Sequence, residues 1–159
     1  MVKQYYLKIG KYMIKSIDHH NFTVSNIEEA LHFFCDLLGM KANPIHEVRD
    51  NERFQKILQI PDAWFRICTI QTPDNNLIEL IQYIMPEGKK IDLKTCNVGV
   101  SHIAFEVDDI ERMYEDLTKK GVKFNHPPLW GKSVIGTGNW GVCYLKGPDN
   151  ITFEFIEKR

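Results

Sequence analysis

The stretch IDHHNFTVSNIEEALHFFCDLLGMK, residues 17–41, contains the pattern that decides the fold. The periodicity of residues 17–24 predicts a β-strand, and Ser25-Asn26 then precedes apolar residues at helical spacing from 27 to 38. Gly39 follows directly, and glycine is a common residue at the end of a helix. The stretch therefore predicts a strand, a capped helix and a glycine stop.

The same order recurs in the stretch GVSHIAFEVDDIERMYEDLTKKGVKF, residues 99–124. Aligning this stretch with the first one places His102 on His19, in the predicted opening strand of each copy. Aligning the two Pro-Asp-Asn turns further along the chain places Glu154 on Glu79, each in the strand predicted after the turn. Because two signatures recur in the same order with similar spacing, duplication of one structural unit is the simplest explanation.

The segments around these signatures complete two strand-rich units. Besides the opening strands at 17–24 and 98–107, extended segments are expected at 40–49, 64–71, 77–84, 122–125, 142–145 and 151–157, with a loop or short helix at 50–61 and a helix from Asp108 or Asp109 to Lys120. The expected division is an N-terminal extension over 1–13, a first βαβββ module over 14–85, a linker over 86–97 and a second βαβββ module over 98–159.

Composition limits the kinds of partner. The 159-residue chain is 43% hydrophobic, which is enough for one compact globular unit. Its 20 basic and 21 acidic residues form no basic stripe, which argues against nucleic acid as the main partner. Apolar runs are too short for membrane spanning or export. The four cysteines are widely spaced without a CxxC pair, which favours reduced thiols in a cytoplasmic protein; a secreted disulfide framework is the alternative.

Alternation along the predicted strands places four side chains capable of binding a metal opposite mainly apolar faces. These side chains are His19, Glu79, His102 and Glu154. His20 replaces His19 as the candidate only if the strand register shifts by one residue, which would remove two apolar neighbours from the core face.

Two imidazoles and two carboxylates from four strands suit a divalent ion of intermediate hardness. Four protein ligands on an octahedral ion leave two positions open, enough for a substrate to chelate through two oxygens. The chemistry that follows is Lewis-acid stabilisation of an enolate, with proton transfer by a carboxylate.

The two quoted stretches resemble the opening strand and helix of modules in the glyoxalase/bleomycin resistance/dioxygenase (vicinal oxygen chelate) superfamily. PDNNLIELIQY, residues 73–83, and GPDNITFEFIE, residues 147–157, resemble the closing hairpins. The resemblance covers most of residues 14–157 and implies an α+β fold, in which two βαβββ modules form a U-shaped, cup-like mixed sheet around a metal. The ligand positions of the family fall on the same four residues, His19, Glu79, His102 and Glu154.

This ligand set is similar to that of bacterial glyoxalase I (lactoylglutathione lyase). The resemblance implies a lyase or isomerase that uses one divalent ion, Ni, Co, Zn or Mn, on a small carbonyl substrate. Glu154 or Glu79 would shuttle a proton through an enediolate. Thr23 stands where glyoxalase I carries an Arg for the glutathione carboxylate, so the thiol is left open. The alternatives are a ring-cleaving iron dioxygenase and a metal-free protein that binds a drug or metabolite. Family members are often dimers, which implies a homodimer.

Further candidates surround this set. His46 or Glu47, on the expected second strand, is either an auxiliary acid or base facing the cup or part of a solvated edge. Trp130 and Trp140 lie in the glycine-rich segment 129–141, which is long and irregular enough to form a lid over a ligand. The alternative for this segment is a surface loop held by two buried indoles.

Overall fold

The computed structural model describes residues 14–159 and contains two five-stranded sheets. The N-terminal extension predicted over 1–13 lies outside the described residues. In chain order, the strands of the first sheet are β1 (His19–Thr23), β2 (Lys41–Ala42), β3 (His46–Val48), β4 (Trp64–Gln71) and β5 (Leu77–Met85), and those of the second are β6 (Ile103–Glu106), β7 (Lys123–Phe124), β8 (Leu129–Lys132), β9 (Asn139–Lys146) and β10 (Thr152–Lys158).

The two sheets have the same topology. The strand order is β1-β5-β4-β2 in the first sheet and β6-β10-β9-β7 in the second, with β3 also pairing with β4 and β8 with β9. The opening and closing strands of each module run parallel, β1 with β5 and β6 with β10, and the other pairs are antiparallel. This arrangement confirms the predicted α+β class with two related modules.

Helices connect the first two strands of each module. Helix α1 (Ile27–Leu31) continues as a π-helical segment, His32–Leu37, and α3 (Ile110–Lys119) is its counterpart; α2 (Glu52–Leu58) lies between β3 and β4. The Asn26 side chain caps α1 by accepting from the N–H groups of Glu28 and Glu29, and Asp109 caps α3. Both caps agree with the sequence, whereas the periodicity gave no indication of the π-helical segment.

The strand predicted over 40–49 in the first module is broken in two, and in the second module a further strand, β8, follows the predicted extended segment 122–125. Asn43-Pro44-Ile45 separates β2 from β3, and a segment containing Pro127-Pro128 separates β7 from β8. Proline lacks the N–H that would continue a ladder, so the strand stops and restarts along the same neighbour.

Two further expectations are corrected. The strand predicted over 98–107 begins only at Ile103, because a turn at residues 97–100 contains Gly99 at a φ of 96°. The segment 129–141, expected to be an irregular loop, is a hairpin in which β8 pairs with the start of β9.

One hydrophobic core joins both modules. Phe153 of β10 is fully buried and lies against Phe22 of β1 and Phe34 of the π-helical segment, at ring-centroid distances of 5.2 and 5.4 Å. The aromatic rings at this junction therefore fix how the two modules meet. Within residues 14–159, no helix combines the length and apolarity needed to cross a membrane.

The four cysteines are free, as predicted. Cys68 and Cys143 are buried, and burial raises the pKa of each thiol to about 11. Both therefore stay protonated at neutral pH.

Candidate metal centre

The face of β1 that carries His19 is open to solvent. His19 and Asn21 are exposed, whereas Phe22 is buried in the core. His20 is half-buried and packs against Phe22, with ring centroids 4.6 Å apart. The register is therefore the one predicted for His19, and His20 points to the opposite side of the sheet.

His19 lies between two carboxylates. Its Nδ1 is 2.8 Å from Oδ1 of Asp18, and its Nε2 is 3.6 Å from Oε1 of Glu79 on the neighbouring strand β5. Asn21 donates to the same Glu79 oxygen over 3.2 Å. The hydrogen bond that His19 donates to Asp18 raises the pKa of His19, and the charge of Glu79 adds to this effect. We call His19 and Glu79 the first half-site.

His102 and Glu154 form the second half-site. His102 Nε2 is 2.9 Å from Oε2 of Glu154, and the Glu154 side chain is only 13% exposed. Tyr144 on strand β9 is the cross-strand neighbour of Glu154, and the centroid of its ring is 5.3 Å from that of the His102 ring. Burial raises the pKa of Tyr144, and the nearby Glu154 raises it further, so this phenol is neutral and can donate a hydrogen bond at neutral pH.

Each glutamate faces a hydroxyl group that the sequence analysis missed. Thr69 lies opposite Glu79 in the pairing of β4 with β5, and Tyr144 lies opposite Glu154 in the pairing of β9 with β10. A signal was available in the sequence, because the alignment that superimposes the two glutamates also places Tyr144 on Thr69.

The two half-sites do not form one group within a chain. Among residues 14–159, no three His, Cys, Asp or Glu side chains lie close enough together to hold a metal ion. Each half-site by itself offers one imidazole nitrogen and one carboxylate, a donor pair that suits a divalent ion of intermediate hardness. The donor chemistry fits such an ion, and a four-ligand site requires both half-sites to meet.

The structure separates His46 from Glu47. His46 pairs with Ile67, two residues from Thr69, which places it on the open face that carries Glu79. Glu47 pairs with Arg66 on the other face, where Arg66 donates to Glu28 of α1. Glu47 is therefore directed away from the first half-site.

The two tryptophans of the hairpin also face opposite sides. Trp130 pairs with Gly141 on the helix face, and its indole N–H donates to Glu111 over 2.5 Å while Arg159 stacks on its ring at 4.0 Å. Trp140 pairs with Lys158, four residues along the ladder from the Tyr144–Glu154 pair, and so lies on the open face of the second half-site.

Comparison with known proteins supports this architecture. A family model described as glyoxalase/bleomycin resistance protein/dioxygenase superfamily matches residues 18–144. Among solved structures, a glyoxalase family protein from Bacillus cereus is 23% identical with a TM-score of 0.75, and the match covers 94% of this chain and 98% of that chain. A glyoxylase/bleomycin resistance protein/dioxygenase domain from Frankia is 18% identical, with a TM-score of 0.65 and coverage of 92% and 94%.

The trypanothione-dependent glyoxalase I of Leishmania major has the same fold. It is 18% identical to this chain, with a TM-score of 0.63, and the match covers 91% of this chain and 87% of that chain. At these identities the solved structures establish a shared fold, while the family model spans most of the sequence. The chain therefore belongs to the glyoxalase/bleomycin resistance protein/dioxygenase superfamily.

Proposed function

We propose that the protein is a divalent-metal-dependent enzyme of the lyase or isomerase type, which binds a small carbonyl substrate and moves a proton through an enediolate. One observation carries this proposal. Equivalent positions on the open faces of the two sheets each hold a His–Glu pair, at 3.6 Å in the first half-site and 2.9 Å in the second. A binding protein without a metal has no need for four such ligands.

The proposed ligands are His19, Glu79, His102 and Glu154. A divalent ion held by them would supply Lewis-acid polarisation of a carbonyl oxygen. The Glu79 and Glu154 side chains are only 18% and 13% exposed, so they are held largely away from water. Either carboxylate can take a proton from the carbon next to the carbonyl group and return it to the former carbonyl carbon, as general acid–base catalysis requires.

Neighbouring side chains are suited to hold the substrate. The neutral Tyr144 phenol beside Glu154 can donate a hydrogen bond to a substrate oxygen. Thr23 lies exposed on the face that carries His19 and brings no positive charge there. A substrate thiol other than glutathione is therefore compatible with this face.

The complete site is proposed to form between two copies of the chain. The half-sites of one chain lie on separate sheets whose other faces share a single core. In a dimer with two-fold symmetry, the first half-site of one protomer can face the second half-site of its partner. Such a homodimer would contain two equivalent metal sites.

Mixing two inactive variants tests both the ligands and their arrangement. One variant carries His19→Ala and Glu79→Ala, and the other carries His102→Ala and Glu154→Ala. In a site shared between protomers, each variant alone loses metal, but every mixed dimer regains one intact site. The two are refolded together, and metal content is measured by elemental mass spectrometry on untagged protein. His126→Ala, an exposed histidine bonded to the carbonyl of Pro127, is the matched control.

The outcomes separate the alternatives. Recovery of metal in the mixture supports a site between chains, whereas loss without recovery places the whole site within one chain. Retention of metal by either double variant contradicts the ligand assignment. Iron as the native metal favours a ring-cleaving dioxygenase, and wild-type protein that takes up no metal after reconstitution overturns the enzyme proposal in favour of a metal-free binding protein.

A further inference from the structure

We propose that Asp18 is a positioning residue that fixes the His19 imidazole for metal binding. The ligand role of His19 rests on the proposed function, whereas the orienting contact is a property of the chain. Asp18 Oδ1 lies 2.8 Å from His19 Nδ1, and the opposite ring nitrogen, Nε2, is directed to Glu79 at 3.6 Å. The Asp18 carboxylate and the Glu79 carboxylate thus lie on opposite sides of the His19 ring.

This geometry determines which ring nitrogen carries the proton. An ionised carboxylate only accepts hydrogen bonds, so in the neutral imidazole Nδ1 must be the donor. The lone pair then resides on Nε2, the nitrogen that faces Glu79. A carboxylate behind a metal-binding histidine fixes its tautomer and ring orientation and increases its basicity as a ligand.

The contact cannot be explained by folding stability. The Asp18 side chain is 89% exposed, and exposed pairs of this kind contribute little to stability because water and salt screen them. Removing Asp18 should therefore leave the fold intact and alter only the imidazole. A purely structural pair would leave metal affinity unchanged.

The second half-site lacks this arrangement. Ser101 precedes His102 in the sequence, and within residues 14–159 the hydrogen-bond partner of the His102 ring is Glu154 itself, through Nε2. The two half-sites are therefore unequal: the first histidine is oriented from behind, and the second is held by its own co-ligand. Loss of Asp18 should therefore weaken metal binding by the first half-site and leave the second half-site unchanged.

A matched control exists in the π-helical segment that follows helix α1. His32 Nδ1 lies 2.7 Å from Oδ2 of Asp36, and both side chains are exposed and outside the half-sites. Asp36→Ala removes an equivalent carboxylate from an equivalent nitrogen. The pair of variants Asp18→Ala and Asp36→Ala therefore differs only in which histidine loses its partner.

Two measurements on these variants test the proposal. Calorimetric titration with Co²⁺ should show affinity weakened about 10–100-fold in Asp18→Ala and unchanged in Asp36→Ala. Long-range ¹H–¹⁵N correlation spectra of the metal-free proteins, recorded where imidazole is neutral, should show His19 protonated at Nδ1 in the wild type and shifted toward Nε2 protonation in Asp18→Ala.

Failure of this inference is distinguishable from failure of the proposed function. Wild-type Co²⁺ affinity in Asp18→Ala, or an unchanged His19 tautomer, overturns the role of Asp18 even if the protein binds metal. If wild-type protein binds no Co²⁺, the proposed function fails, and the tautomer spectra still decide whether Asp18 orients His19.

Discussion

The two modules contain the same Pro-Asp-Asn turn and use its aspartate differently. In the first module, Asp74 stays within its own turn, accepting from the Thr72 hydroxyl over 2.5 Å and from the Asn76 amide over 2.6 Å. In the second module, Asp149 accepts from the N–H and the hydroxyl of Ser25, over 2.7 and 2.6 Å. One aspartate closes a turn, and the other ties the second module to the start of helix α1.

The linker takes part in the second arrangement. Lys90 lies 3.0 Å from Asp149, whose side chain is only 15% exposed. Burial by itself would raise the pKa of this carboxyl, but the bonds from Ser25 and the charge of Lys90 outweigh it and lower the pKa. The role of a repeated motif therefore depends on which surface the rest of the chain brings to it.

The largest expected effect comes from the core residues that follow these turns. Ile78 and Phe153 occupy equivalent places, each directly before the glutamate of its module; both are buried, but Phe153 packs against rings from both modules. Phe153→Ala should lower the free energy of unfolding by about 3–5 kcal/mol, and Ile78→Val should lower it by about 0.5–1.5 kcal/mol. Urea denaturation measures both, and Phe153→Leu provides a milder variant if the alanine variant does not fold. Equal losses at the two positions would contradict the junction role of Phe153.

The next largest difference in stability is expected between variants of Asp149 and variants of Asp74. Asp149→Ala removes a largely buried carboxylate that accepts two hydrogen bonds from Ser25, and should lower the free energy of unfolding by about 1.5–3 kcal/mol. Asp74→Ala should have a smaller effect because its bonds lie within one exposed turn. A double-mutant cycle with Ser25→Ala should show coupling to Asp149 and none to Asp74; additivity at Asp149 would refute the tie between modules.

The Asp149 contact also predicts a pH dependence. Because the folded state lowers the pKa of Asp149, its contribution is fully present above the unfolded-state value of about 3.9 and is lost as pH falls through the lower folded value. Thermal unfolding followed from neutral to acidic pH should show a shallower acid decline in Asp149→Asn than in the wild type. An identical decline would mean that Asp149 is not a source of the acid sensitivity.

The smallest effect on stability is expected at the position where the first module has Gln82 and the second has Glu157. Gln82 accepts from the N–H of Ile27, and Glu157 accepts from the N–H of Ile110, each at the first residue of a helix. The bond from Ile110 lowers the pKa of Glu157. Glu157→Gln should therefore give a slight loss of stability at neutral pH that disappears in acid. A loss that persists in acid would point to disturbed packing instead.

Much of the fold follows from local patterns. The bounds of β4, the caps at Asn26 and Asp109, and the stops at Gly39 and Gly121 agree with the sequence because each depends on residues next to it in the chain. The break at Pro44 was missed because the surrounding apolar residues outweighed it in the periodicity, and β8 was missed because residues 129–132 belong to a glycine-rich segment. The start of β6 at Ile103 was missed for a similar reason, since the turn at Gly99 interrupts an apolar run.

The candidate site, like the fold, was predicted where it depends on local alternation and missed where it depends on how the strands pack. Strand alternation was enough to place His19 on the open face and His20 on the core side, but not to choose between His46 and Glu47, because that choice depends on where β3 begins after Pro44. The contact of Asp18 with His19 and the hydroxyls of Thr69 and Tyr144 appear only when strands are placed side by side.

The sequence by itself determined the two modules and their strand faces, and it led to the four side chains proposed as metal ligands, because periodicity and repeat spacing are properties of neighbouring residues. Only the tertiary structure decided that the first and second half-sites of one chain stay apart. That separation depends on contacts between residues distant in sequence, such as Phe153 against Phe22 and Asp149 against Ser25. Such contacts follow from how two finished sheets pack, which no local pattern encodes.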